Sequence, residues 1–323
     1  MLKRWFSHIT LLLLTGLLLC GCSSQEEQLK KTVDKQIAST TASVTKLETA
    51  LNDGKIRNAL ILKQYSEMLA QQKPEMAQLA EQVGSDATTK GALYTNLSKR
   101  LDQASNNATA FASSYERLDE LSSIAEAAKV SLFNDALSDP VNVLADLSGG
   151  TLARVNAMSR EAEIAANGKA SQSPGSQMVG NPNYGNWQSS SSGTSFWAWY
   201  GMYSMFSNVM GYNRPSYGGW SRNRGYSYHS DYGRSHYSSP KQRNKQQKLY
   251  QKTKKSFASK GKQFSSPYAK RKTGSSSLSR ASNTPTKSAY SKRSSGSGSK
   301  SSYSSGNVRS GSSRTSRGSS RGK

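Results

Sequence analysis

Between Glu26 and about Asn167 the apolar residues fall on one helical stripe after another. Leu29, Val33, Ile37, Thr40, Val44, Leu47 and Leu51 recur at alternating spacings of three and four, which places them on a single helix face. Asn52-Asp53-Gly54 predicts its end, because glycine takes the left-handed cap without strain. A second helix is predicted from Ile56 toward Val83, nicked before Pro74, which suits the first turn of a restart. Ser85 or Asp86 then caps a third helix carried by Leu97, Leu101, Ala104, Ala108, Phe111, Tyr115, Leu118, Leu121, Ala125, Ala128 and Leu132. Ending near Leu137 before Asp139-Pro140, it would reach about 75 Å at 1.5 Å per residue. Short helices are predicted near residues 141–147 and 151–166, separated by Gly149-Gly150. The seam is rich in Ala, Ser and Thr, so the helices approach closely but bury little apolar surface per turn. The predicted fold class is all-α: an elongated antiparallel helical hairpin or coiled-coil-like three-helix bundle over 22–168, then a largely disordered basic C-terminal half.

Ahead of the helices, residues 1–21 have another pattern. Lys3 and Arg4 precede the stretch 9–19, which only Thr10, Thr15 and Gly16 interrupt. These are the parts of a secretory signal peptide, and the apolar run is too short to span a bilayer. The segment is expected to be cleaved. Its closing residues, Leu19-Cys20-Gly21-Cys22, resemble the lipobox of bacterial lipoproteins. That resemblance implies a diacylglycerol thioether and an N-acyl chain, such as palmitate, on Cys22 as the first mature residue. Several acyl chains on one residue anchor far more firmly than one. Ser23 in the next position implies, by the same resemblance, delivery to the outer membrane, on its periplasmic face or at the cell surface. With its helical domain and Ser/Arg/Gly tail, the chain is similar to uncharacterised Gram-negative envelope lipoproteins, a likeness of composition that carries no site residues across.

After Gly168 the composition changes. Residues 169–195 are Ser, Gly, Gln and Pro with Trp187, the pattern of a flexible linker. Residues 196–211 form the most apolar stretch of the mature chain, with Phe196, Trp197, Trp199, Tyr200, Met202, Tyr203, Met205 and Phe206 as candidates to contact a membrane interface or a partner groove. Packing of this segment onto the helical bundle is the competing expectation. Residues 212–240 alternate Tyr, Gly, Arg, Ser and His, and 241–323 are Lys, Arg, Ser and Gly without one acidic residue. Such a tail is expected to stay disordered, since it has too little apolar surface to offset the entropy of ordering. Within it, 241–264 alone has helical potential.

Charge is divided as unevenly as hydropathy. The chain has 44 Lys and Arg against 20 Asp and Glu, a net charge of +24. Asp231 is the only acidic residue after Glu163, so the excess lies in the C-terminal half while the helical half is slightly acidic. Candidate anion-binding residues are Lys241, Arg243, Lys245, Lys248, Lys252, Lys254, Lys255, Lys270, Arg271 and Lys272. Cys20 leaves with the leader and Cys22 takes lipid, so no disulfide is available. His8, His229 and His236 make no convincing metal site, and carboxylates such as Glu116, Asp119 and Glu120 fall where solvated faces are expected. The chain is expected to need no cofactor and to be no enzyme. Its predicted role is that of a membrane-anchored interaction protein whose polycationic tail meets lipopolysaccharide, phospholipid or peptidoglycan; the alternative is a surface-displayed lipoprotein binding extracellular DNA for adhesion.

Overall fold

The computed structural model describes residues 2–155, 173–209 and 214–268, with 2–24 described by their backbone alone. The chain is mostly helical. Helix α1 runs Leu2–Asn52, α2 Arg57–Gln72 and α3 Ala77–Gly84, the last two joined through a 3-10 turn at Pro74–Met76. Val33, Thr40, Val44, Leu47 and Leu51 of the α1 stripe are buried, and Gly54 closes the helix at φ +64°. Among the described residues no helix is long and apolar enough to cross a membrane.

The long third helix expected from the sequence is broken into three, α4 Ala92–Asn106, α5 Ser114–Ala127 and α6 Val130–Ala136, and α7 Ser138–Leu147 follows where a short helix was expected. Side chains drive the first break. Arg117 donates from Nε to the Ala104 carbonyl at 2.5 Å and from an Nη to the Ser105 carbonyl at 2.7 Å, which satisfies the end of α4. Ser113 accepts from the Glu116 amide while Glu116 reaches back to the Ala112 amide at 2.7 Å, so α5 has its own cap. Extended backbone at Lys129 makes the second break. Helices α4 and α5 then both pack on α1 and on each other, with the Thr40 hydroxyl donating to the Leu121 carbonyl at 3.2 Å in the seam.

Every residue of α7 is buried. Asp139, Asn142 and Asp146 lie at i, i+3 and i+7, one polar stripe on a helix whose other residues after Ser138 are apolar, and each binds a different later segment. Asp139 accepts from the Tyr228 and His229 amides at 2.8 and 3.0 Å. Asn142 pairs in both directions with the Val155 backbone, at 2.8 and 2.7 Å. Asp146 accepts from the Gln177 amide at 2.8 Å and faces Arg154. A buried polar group left unpaired costs about 1–3 kcal/mol, so these contacts specify how the C-terminal half wraps α7.

Two further expectations from the sequence do not hold. The linker and the aromatic segment join as an antiparallel hairpin: β1 Gly185–Ser189 pairs with β2 Ser195–Trp199, with Trp187 opposite Trp197. Aromatic residues favour strands, and a Ser/Gly turn with Gly193 at φ +77° lets the chain reverse. Nor is the Tyr/Gly/Arg region disordered as far as Tyr268. It folds as a strap containing α8, Tyr217–Asn223, and ending in α9, Pro240–Ala258. Its aromatic rings build a second core, in which Val179, Trp197, Tyr217, Trp220 and Phe264 are buried with Leu249, Tyr250 and Phe257 packed around them. Aromatic burial supplies the apolar surface that aliphatic counting missed. The rest of the basic tail, 269–323, and the predicted helix over most of 151–166 lie outside the described residues.

Candidate functional site

A cavity of about 550 Å³ opens between the hairpin and α9. That volume lies within the range of small-ligand pockets. Trp187, Trp197 and Tyr200 line one side; Lys245, Lys248 and Lys252 line the other. Amides and hydroxyls of Asn186, Ser189, Ser195 and Gln242 also border it, and no Asp, Glu, His or Cys does.

The hairpin is held in place from both ends. Tyr184, just before β1, and Tyr203, just after β2, stack edge to face at 5.0 Å, and Tyr203 donates to buried Asp86 at 3.3 Å. Burial pushes Asp86 up to about 6, against the pull of the Tyr184 and Tyr203 hydroxyls and the Leu93 amide. Gly185 leaves no room for a side chain: a Cβ there would lie 2.4 Å from the Ala198 carbonyl and 2.7 Å from the Trp197 ring. Trp187 packs edge to face on Trp197 and Tyr217, at 5.1 and 5.0 Å.

Helix α9 begins with a full capping box, Ser239 accepting from the Gln242 amide and Gln242 accepting from the Ser239 amide at 2.8 Å. Arg243 fixes it to α5 through Asp119 at 2.9 Å and to the Ser235 carbonyl at 2.8 Å. Gln246 accepts from Arg234 at 2.7 Å. Leu249, Tyr250 and Phe257 complete the docking face. What remains outward is lysine. Lys241, Lys245, Lys248, Lys252, Lys254 and Lys255 are all exposed, and none meets a carboxylate among the described residues.

The candidate cations thus divide by residue type. Arg243 is engaged in the fold, as are Arg214 over Phe196, Arg224 with Asp231 and Arg234 over Tyr268 at 4.0 Å. Lysines stay free. Lys270, Arg271 and Lys272 lie outside the described residues. The spacing 241, 245, 248, 252, 255 repeats as four, three, four, three, so five lysines form one stripe about 21 Å long. That repeat was visible in the sequence, but nothing there showed that Trp187 and Trp197 stand opposite its middle.

The aromatic candidates are placed differently from one another. Trp197, Tyr203 and Phe206 are buried within the protein, Phe196, Trp199 and Met205 partly so, and Tyr200 is 43% exposed. Among the described residues of this segment, Tyr200 is the one large side chain a membrane surface could meet; the side chain of Met202 lies outside the described residues. Burial holds the Tyr200 hydroxyl above its ordinary range, so it stays a neutral donor at the cavity mouth. His229 is buried, and among the described residues no cluster of His, Cys, Asp and Glu is able to hold a metal. Glu120, expected on a solvated face, is instead buried in a two-pronged pair with Arg100. Compared with protein-family models, curated proteins and solved structures, the chain has no match.

Proposed function

We propose that the chain is an envelope lipoprotein, anchored in the outer membrane through acyl chains on Cys22, that binds an anionic component of the envelope without catalysing a reaction. One observation carries the binding reading: five lysines on α9 form an uncompensated stripe on a helix fastened to the core by other side chains. Like charges at i, i+4 destabilise a helix by about 0.2–0.5 kcal/mol per pair, so the stripe is a standing repulsion that a polyanion relieves. The lipobox residues support the anchor, and with the leader gone the mature chain begins inside α1. The mutual packing of α1, α4 and α5 supports reading that trio as the three-helix bundle, a spacer between membrane and strap. Lipopolysaccharide phosphates, peptidoglycan carboxylates and phospholipid head groups are the anions in reach.

Comparing wild type with Cys22→Ala tests the anchor. Wild type is expected in the outer-membrane fraction with its leader removed and an acyl mass on Cys22, and the variant in the soluble fraction. Intact leader on cytosolic protein would overturn the proposal. Protease added to intact cells reads orientation: cleavage in the basic tail puts the strap outside and favours DNA, protection favours a periplasmic polymer.

A further inference from the structure

We propose that the cavity between the β1–β2 hairpin and α9 binds an anionic glycan, one ring seated against Trp187 and Tyr200 and its charged groups along the lysine stripe. This rests on the reading that α9 engages an envelope anion, and it adds which anion and where.

Three features of the cavity select that ligand. The first is charge without compensation: Lys245, Lys248 and Lys252 border a space whose lining contains no Asp or Glu. An anion entering it meets attraction from one side and repulsion from none. The second is the aromatic wall of Trp187, Trp197 and Tyr200. The C–H face of a pyranose carries slight positive charge and packs on the negative face of an aromatic ring, whereas a bare phosphate gains nothing there. The third is the polar rim of Asn186, Ser189, Ser195 and Gln242, which offers both donors and acceptors, as sugar hydroxyls require. An acyl chain would leave such a rim unpaired.

The stripe also sets the ligand's extent. Lys241 and Lys255 continue it beyond both ends of the cavity, so the occupant is a chain that runs along α9 and dips once into the pocket. Nucleic acid fits less well. In a duplex the bases are stacked inside the helix and would have to be flipped out to reach the aromatic wall.

Full-length protein in detergent is titrated calorimetrically at low salt with four probes. These are an oligogalacturonate, its neutral methyl ester, inorganic polyphosphate and duplex DNA. The oligogalacturonate should bind best, its ester at least about tenfold more weakly, and polyphosphate should weaken with the loss of stripe lysines but not with Ser189→Glu. Lys245→Gln/Lys248→Gln/Lys252→Gln should lose on the order of tenfold or more for the oligogalacturonate, and the charge-matched control Lys254→Gln/Lys260→Gln/Lys262→Gln less than about threefold. All six lysines are exposed, so both variants should fold. Ser189→Glu, at the exposed rim, leaves every lysine in place and should weaken the oligogalacturonate alone. Equal losses from both triple variants, with polyphosphate or DNA binding as tightly as the oligogalacturonate, would refute the glycan site and leave the broader anion-binding function standing. Failure of every anion to bind would remove both.

Discussion

Glu120→Ala is expected to destabilise the folded protein by about 3–5 kcal/mol, the range for breaking a buried ion pair by removing one partner. Arg100 donates to Glu120 with Nε at 2.6 Å and with one Nη at 3.0 Å, while its other Nη donates to the His236 carbonyl at 2.6 Å. Both side chains are withdrawn from water, Arg100 at 9% and Glu120 at 2% exposure. Truncating the carboxylate strands a guanidinium between α4, α5 and the turn that leads into α9. The double replacement Arg100→Met with Glu120→Leu removes both charges and should recover most of that loss, because the pair's attraction is offset by its own desolvation. It leaves the His236 carbonyl with only the 3.4 Å contact from Ser123, so α9 should become more open to protease even where stability returns. Urea midpoints for the three proteins check the first claim. A single substitution costing under 1 kcal/mol would show the pair to be solvated.

How much of this was legible beforehand depends on which residues carried the signal. The α1 stripe could be read because Val33, Thr40, Val44, Leu47 and Leu51 face one core at one period. The break at residues 107–113 could not, although Ser113 and Glu116 spell a capping signature, because the apolar spacing continues through it. Exposure of Ala108 and of Tyr115, at 72%, shows that the stripe had lost its core there. Composition misled most in the strap. Tyr, Gly and Arg look like material for a disordered tail when each residue is weighed alone. In place, Tyr217 and Trp220 are core, and Asp231, the one acid of that half, accepts two bonds from Arg224 at 2.7 and 3.1 Å. The lysines were identified by type. Their partner wall was hidden because Trp187 and Trp197 lie ten positions apart and meet only through the hairpin.

The same strap should make stability depend on pH in a way that a single substitution sharpens. Burial pushes Asp139 up to about 7, opposed by the His229 and Tyr228 amides and the Ser227 hydroxyl, and raised further by nearby Asp231. Burial pushes Asp86 up to about 6. Between their unfolded values near 3.8 and these folded values the native state holds more protons than the unfolded chain. Stability from both groups is therefore complete below that window and falls as pH rises through it, by on the order of 4 kcal/mol for Asp139. His229 acts oppositely. Burial first, then the charges of Arg234 and Arg224, lower it from 6.5 to about 3, so the unfolded chain holds the extra proton and stability falls as pH drops through that interval. Its contribution is of similar size, on the order of 5 kcal/mol. From about pH 4 to 6 the two trends oppose each other, but the raised carboxylates, Asp139 and Asp86 together with Asp135, which burial also pushes up to about 6, outnumber His229. Wild type should therefore lose stability toward neutral pH at a rate that His229 moderates. His229→Leu deletes one of them. Both ring nitrogens of His229 are buried without a hydrogen-bond partner, so the variant should also gain about 1–3 kcal/mol near neutrality. Urea unfolding at intervals from pH 4 to 7 should then find both proteins more stable at the acid end, with His229→Leu falling by about 3 kcal/mol more than wild type over the interval. Parallel profiles for the two proteins would mean that water reaches His229, and that the strap over α7 is looser than its buried hydrogen bonds require.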